Sequence, residues 1–340
     1  IVPTALEECD DDYNGITSFN LTDKDIEILN GQTGISVSYY ELPEDAESGS
    51  NPIVDPYLNT TVDGQTMYVR LEDDTTACYA TTTLELIVNP IPEVITPPVV
   101  EVCDDDYDGV GTFDLTSLDD TILNGQTGIS VSYHQSQEDA DTGSNVLSSP
   151  FNNTSLDAQE LIVRLENNTT GCYATTTQGL VVNPLAVIEV TDYELCDYNN
   201  SGDMIGVFDI TTKNDEIING QNVTLSYFGS FADSQNNTNA LTSAQLTSYS
   251  NSFAASEEIF IRLEQNATGC LTFGSFNVTV NPLPNVILNT DLVQCDIDDL
   301  QDGISIYNLE EAAENLVIGD DPNNYVLTFH LSQADLDNNE

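Results

Sequence analysis

Apolar residues recur at every second position through much of the chain, as in Ile35-Ser36-Val37-Ser38-Tyr39, Met67-Tyr68-Val69-Arg70-Leu71 and Leu84-Glu85-Leu86. A period of two sends alternate side chains to opposite faces of a strand, whereas a helix needs 3.6. Val, Ile, Thr and Tyr fill these runs, and Gly, Asn, Asp and Pro separate them, so the pattern predicts short antiparallel strands joined by turns. Helical turns are expected at residues 22–29 and 44–47, too short to build a helical layer.

The pattern repeats. Ile-Leu-Asn-Gly-Gln-Thr-Gly-Ile-Ser-Val-Ser-Tyr occupies 28–39 and again 122–133, and Cys-Asp pairs begin at Cys9, Cys103, Cys196 and Cys295. An Arg-Leu-Glu strand ends at Glu72, Glu166 and Glu264, and each is followed by a cysteine, an alternating stretch and Asn-Pro at Asn89, Asn183 and Asn281. Self-similarity at a fixed period marks a repeat array. The predicted domains are 1–91, 92–185, 186–283 and a partial fourth, 284–340. A repeat of this size built from short strands fits an all-β fold, a tandem array of immunoglobulin-like β-sandwich domains. Proline-containing connections such as Asn89-Pro90-Ile91-Pro92 would join them as semi-rigid beads on a string. The last repeat stops before its own second cysteine and the chain opens on Ile1-Val2-Pro3, so a longer polypeptide is expected.

Charge narrows the partners. The chain has 58 Asp+Glu against 5 Lys+Arg, a formal net charge of −53. Nucleic acid and anionic membrane both require basic patches, so neither is expected as a partner. Direct membrane insertion is not expected either, since no apolar run approaches the ~20 residues of a spanning helix. Most of the charge would form a solvated, self-repelling coat that keeps an extended stalk soluble.

Seven cysteines fall at 9, 78, 103, 172, 196, 270 and 295. Pairing within repeats joins Cys9 to Cys78, Cys103 to Cys172 and Cys196 to Cys270; pairing across the linkers joins 78 to 103, 172 to 196 and 270 to 295. The extended run from Tyr79 to Asn89 would carry the chain roughly 33 Å from Cys78, and bonded Cα atoms lie within ~7 Å. The within-repeat set is therefore expected, and with it an oxidising, extracytoplasmic location. A zinc site is disfavoured because there is neither a CxxC pair nor a histidine cluster.

Each first cysteine opens an acidic loop closed by glycine. Oxygen-bearing side chains alternate at Asp10, Asp12 and Asn14, at Asp104, Asp106 and Asp108, and at Asp197, Asn199 and Ser201; the longer fourth loop offers Asp296, Asp298 and Asp302. Ca²⁺ takes six to eight oxygens, and an Asp-x-Asp-x-Asp/Asn-Gly loop supplies three while Gly allows the sharp turn. Leu21 and Leu115 stand where an EF-hand has its bidentate Glu, so further ligands are expected from Asn20, Asp114 and Asp209, which could equally cap the following helical turn. Carboxylate count predicts the second loop to bind most tightly. The bland alternative is that Asp, Asn and Gly only form turns.

Catalysis is not expected. His134 and His330 share a repeat position with Tyr40 and Phe228, which reads as a half-buried strand site. Arg70, Arg164 and Arg262 recur beside Glu72, Glu166 and Glu264 and are expected as ion pairs inside each bead rather than as a ligand-binding cation. Asn-x-Thr triplets such as Asn59-Thr60-Thr61 are frequent because Asn and Thr are frequent, and no glycan is inferred from them.

The set Cys-Asp-Asp-Asp-Tyr-Asp-Gly, Gly-Thr-Phe-Asp-Leu-Thr, Ser-Tyr-His-Gln-Ser-Gln-Glu-Asp-Ala-Asp and Val-Arg-Leu-Glu-Asn-Asn-Thr-Thr-Gly-Cys-Tyr-Ala-Thr-Thr-Thr, spread over 103–177, resembles the tandem repeats of very large Bacteroidota surface proteins. These include gliding-motility adhesins exported by the type IX secretion system. The resemblance implies a non-catalytic stalk or filament segment of an extracellular, cell-surface adhesin, with surface glycans or proteins as partners and self-association into filaments open. Two alternatives are a glycan- or protein-binding module acting through its loops, above all 230–251 where repeat three departs from the others, and an accessory region of a secreted enzyme.

Overall fold

The computed structural model describes residues 2–198, 202–284, 291–296, 302–309 and 325–338. It falls into two compact units, 1–185 and 186–340. The first holds two repeats and the second holds the third repeat and the partial fourth.

Six strands make up each full repeat: β1 (Leu6–Cys9), β2 (Ser18–Phe19), β3 (Ile35–Tyr40), β4 (Tyr57–Leu58), β5 (Gly64–Asp73) and β6 (Tyr79–Asn89) in the first. Their equivalents are β7 (Val100–Cys103) through β12 (Tyr173–Asn183) in the second, and β13 (Tyr193–Cys196) through β18 (Leu271–Asn281) in the third. The main sheet runs β1-β6-β5-β3, and β2 pairs with β4 in a second, two-stranded layer. β3, β5 and β6 pair antiparallel, as the alternation predicts, but β1 runs parallel to β6, with Leu6 opposite Leu86 and Cys9 opposite Asn89. The same mixed sheet recurs as β7-β12-β11-β9 and β13-β18-β17-β15. These are immunoglobulin-like β-sandwich domains.

Alternation decides which face is buried. Met67 and Val69 on β5, and Leu84 and Leu86 on β6, are at most 1% exposed and meet Phe19, Leu21 and Ile28 from the opposite layer. Burying each such side chain stabilises the repeat by about 1.5–3 kcal/mol. The expected helical turns are present: a 3₁₀ turn at Leu21–Lys24 runs into helix Asp25–Leu29, and a second helix spans Pro43–Ser48. They complete the thin second layer by contributing Leu21, Ile28 and Ala46 to the interior.

Arg70 shows how a cation is accommodated in such an acidic repeat. Its Nε donates to Glu72 Oε2 at 2.7 Å, Nη1 donates to the Ala46 and Glu47 carbonyls at the end of the second helix, and its guanidinium lies 3.5 Å from the Tyr79 ring centroid. Arg164 repeats this arrangement with Glu166, Ala140, Asp141 and Tyr173. Arg262 keeps its Glu264 partner, but Leu271 follows Cys270 where the other repeats carry Tyr. Phe231, Phe260 and Phe273 cluster there instead. The arginines are ion-paired inside their repeats, as the sequence predicts. His134 is fully buried, with Nδ1 2.7 Å from the Ser144 carbonyl and Nε2 2.9 Å from Ser132 Oγ, a satisfied strand residue.

Candidate functional site at the inter-repeat junction

The acidic loop starts where β1 ends. Asp10 N–H donates to the Asn89 carbonyl at 2.8 Å, continuing the ladder by one residue before the chain turns. The Asp10 side chain is only 5% exposed and folds back into the loop, Oδ1 accepting from Asp12 N–H at 3.1 Å and Oδ2 from Gly15 N–H at 2.9 Å. Asp12 accepts from Asn14 N–H, and Asn14 from Ile16 N–H at 2.6 Å. The alternating oxygens thus each satisfy the backbone two residues on, which is what Asp and Asn do in turns. Tyr13 and Gly15 carry positive φ, 66° and 72°. A Cβ on Gly15 would meet Val62 Cγ1 at 2.6 Å, so only glycine fits.

The second loop is built alike: Asp104 accepts from the Asp106, Tyr107 and Gly109 amides, and Asp108 accepts from Val110 N–H. In the third, Asp197 Oδ2 accepts from Gly202 and Met204 N–H. In the fourth, Asp296 Oδ2 accepts from Gly303 N–H and Asp302 from Ile304 N–H. The expected ligands Asn199, Ser201 and Asp298 lie outside the described residues.

Burial raises the proton affinity of Asp10 and Asp104, but the converging backbone N–H groups outweigh it and hold both carboxyls below the ordinary carboxylate range. Asp106 moves the other way: burial, then the charges of Asp108 and Asp105, push it up. One carboxylate oxygen each from Asp104, Asp106 and Asp108 lies within 4.8 Å of the others, and in the first loop the converging trio is Asp10, Asp11 and Asp12. Asp11 was not among the expected ligands; being consecutive with Asp10 and Asp12, it falls outside the alternating pattern.

Asn20, Asp114 and Asp209 precede the 3₁₀ turns. Asp114 accepts from Thr116 N–H and Ser149 Oγ, and Asp209 from Thr211 N–H, the capping role the sequence also allowed. Asn20 makes no side-chain cap; Asp55 accepts from Leu21 N–H at 2.6 Å in its place.

A buried asparagine that pattern reading passed over ties each loop down. Asn59, 2% exposed, accepts from Thr17 N–H and donates to the Gly15 and Thr61 carbonyls. Asn153 and Asn251 do the same in the next two repeats. The triplet Asn59-Thr60-Thr61 is thus a structural anchor whose amide is fully engaged.

The disulfide overturns the expected within-repeat pairing. Cys9 of the first repeat is bonded to Cys172 of the second, with Cα atoms 5.6 Å apart and a sequence separation of 163. Cys78 and Cys196, expected as partners of Cys9 and Cys270, are unbonded and exposed, as is Cys295, while Cys103 and Cys270 are disulfide-bonded. The reason is the parallel β1–β6 pair. Cys9 lies beside Asn89 at the end of β6, whereas Cys78 immediately precedes Tyr79 at its start. The eleven residues of β6 therefore separate the two cysteines by roughly 36 Å, far beyond bonding distance. The length argument that excluded pairing across the linker excludes pairing within the repeat as well.

The chain belongs to the Flavobacterium inter-domain disulphide bond domain family. The family model matches residues 5–92, 99–186, 192–284 and 291–340. No curated protein matches the chain. Similar solved structures include a three-immunoglobulin fragment of titin, 12% identical with a TM-score of 0.32, covering 82% of this chain and 96% of that one. Another is Drosophila N-cadherin EC1-4, 12% identical with a TM-score of 0.20, covering 73% and 67%.

In this family member the staple is one of several contacts at the junction of the first two repeats. Tyr13 Oη donates to the Pro92 carbonyl of the linker at 2.8 Å. Gln126 of the second repeat clamps the linker at Glu93, accepting its N–H at 3.0 Å and donating to its carbonyl at 2.9 Å. Gln221 holds Val187 in the same way within the second unit. Burial, then the charges of Glu93 and Asp10, raise the Tyr13 phenol above its ordinary value, so it remains a donor. The Asn-Gly-Gln sequence that marked the repeat carried the signal for this clamp. Tandem domains joined by a disulfide suggest a structural repeat array of an extracellular protein. Among the described residues no helix is long and apolar enough to cross a membrane.

Proposed function

We propose that the chain is a non-catalytic stalk or filament segment of a secreted Bacteroidota cell-surface adhesin, in which each repeat is stapled to the next by a disulfide. The bond between Cys9 and Cys172 carries this reading. It joins the first cysteine of one repeat to the second cysteine of the next. Such a series of staples resists separation of neighbours under tension, the mechanical demand on a shaft that holds an adhesive end away from a surface. Export through the type IX secretion system and a role in gliding motility belong to the same reading, supported by the likeness of the repeat motifs.

Calcium is the proposed stiffening ion. The support is the convergence of Asp104, Asp106 and Asp108 within 4.8 Å; Asp106 is pushed up first by burial and then by the charges of Asp108 and Asp105, and a divalent cation would relieve that charge repulsion. Because Cys9 directly precedes Asp10, an ion in the first loop would sit beside the staple.

The second reading, a glycan- or protein-binding module, is favoured by one observation. Repeat three carries an extra helix, Ser243–Leu246, with a Thr242–Gln245 capping box, within the divergent 230–251 stretch. Non-reducing peptide mapping of the oxidised chain tests the main reading: a Cys9–Cys172 peptide is expected, and Cys9–Cys78 or Cys103–Cys172 peptides overturn it.

A further inference from the structure

A cleft of about 450 Å³ opens beside Cys9 at the junction of the first two repeats, a volume within the range of small-ligand sites. Its wall is largely apolar and aromatic: Ile91 and Val94 come from the linker, Tyr13 from the first repeat, and Tyr173 and Ala174 from the second. Asp11 lines the same space and is exposed to solvent. The wall is fixed before any ligand arrives, because Cys9 is bonded to Cys172, Tyr13 to the Pro92 carbonyl and Gln126 to both backbone groups of Glu93. Little order remains to be lost on binding.

Asp11 is the carboxylate that the loop does not use. Asp10 and Asp12 accept backbone amides, whereas among the described residues Asp11 takes no hydrogen bond. The chain has no cation to spare for it. Its five basic side chains are each paired with a glutamate: Lys24 with Glu27, Arg70 with Glu72, Arg164 with Glu166, Lys213 with Glu216 and Arg262 with Glu264. A counterion for Asp11 therefore comes from outside, and the wall selects its kind. Ca²⁺ takes six to eight oxygens, but this cleft offers mainly carbon, which suits a cation carried on a hydrocarbon stem, as lysine lays its methylenes along apolar surface and holds its ammonium at the polar edge.

We propose that the cleft binds an alkylammonium group, its stem against Ile91, Val94 and Ala174 and its N–H groups donating to the Asp11 carboxylate. A lysyl side chain of a partner protein and a free polyamine share this chemistry. The formal charge of −53 raises the local concentration of either. The stalk reading does not depend on this site.

The test uses the oxidised 340-residue chain in calcium-free buffer at about 0.15 M salt, where attraction between exposed charges fades beyond about 8 Å. The Ile91, Val94 and Ala174 methyl resonances are followed during titration with methylammonium, propylammonium and pentylammonium. Saturable shifts at these methyls are expected, with affinity rising about two- to fourfold for each added CH₂. Asp11→Asn should weaken pentylammonium binding there by about two- to fivefold, and Asp105→Asn, at the same position of the second loop, should leave it unchanged. Nα-acetyl-lysine methylamide and spermidine then separate the sources, the tighter of the two at these methyls naming the natural one. Absence of saturable shifts, equal affinities for methylammonium and pentylammonium, or equal weakening by the two variants overturns the inference, since each marks diffuse attraction to an acidic surface. Peptide mapping of the same sample keeps the readings apart: absent shifts with Cys9–Cys172 in place remove the cleft site alone, and absent shifts with that bond missing remove the stapled stalk as well.

Discussion

Cys9 and Asn89 lie side by side at the ends of two parallel strands, and that pairing sends the first cysteine of a repeat toward its neighbour instead of its own second cysteine. Asn89 is followed at once by the linker Pro90-Ile91-Pro92, so the thiol leaves the repeat at the point where the chain does. Several measurable properties depend on this placement.

Removing the staple should loosen the junction without unfolding the repeats, because each has its own core around Phe19 and Met67 or Phe113 and Leu161. The chain-entropy model gives an upper figure of about 5 kcal/mol for closing a loop of this length. Cys9→Ser should lower the calorimetric transition of the first two repeats and leave that of the third unchanged. An equal drop in both would refute a local staple.

Tyr13→Phe and Gln126→Ala each remove bonds to the linker, at Pro92 and Glu93. Neutral bonds of this kind contribute about 0.5–1.5 kcal/mol each. With Cys9–Cys172 intact, the double variant should keep the far-ultraviolet spectrum but show faster amide exchange along 90–94. Unchanged exchange there would mean that the disulfide alone orders the linker.

Gly15→Ala should cost about 1–3 kcal/mol, because alanine at φ 72° is strained and its Cβ would collide with Val62 and Asp63. Gly31→Ala, also at positive φ but with nothing within 4 Å, should cost less. Urea midpoints of the two variants compare them directly, and equal losses would count against the collision.

Acid should act on the loops in two steps. The Asp10 and Asp104 carboxyls sit below their ordinary value, so their stabilisation is complete above the unfolded value of about 3.9 and is lost as pH falls through the lower folded value. Asp106, pushed up, takes its proton first. Gly15 and Gly109 amides should therefore stay protected by nuclear magnetic resonance until below about pH 3.9, while calcium affinity measured by calorimetry falls at higher pH. Early loss of amide protection would contradict the assignment of Asp10 and Asp104 as loop anchors.

Calcium removal should be most costly at the second loop, which brings together Asp104, Asp106 and Asp108. Asp106→Asn should weaken its affinity while sparing the first loop. An EDTA-stripped chain that takes up no calcium heat, or electron micrographs with the same contour and stiffness with and without chelator, would remove calcium from the proposal.

The repeat, the strand class and the acidic loops were legible in the sequence, since period-two alternation and turn residues act over a few positions and are printed locally. Ion pairing of Arg70 with Glu72 was legible for the same reason: residues two apart share a strand face. Alternation says that Leu6–Cys9 is a strand but not which strand it pairs with or in which direction. That choice belongs to contacts between positions some eighty residues apart, Leu6 with Leu86. The anchoring role of Asn59 was hidden likewise, because its partners at Thr17 and Gly15 are distant in sequence. The sequence by itself determined that cysteines recur in register and that the chain is a tandem β array. Only the tertiary structure decided that the bond passes between repeats, because a parallel first strand puts the two cysteines of one repeat at opposite ends of it.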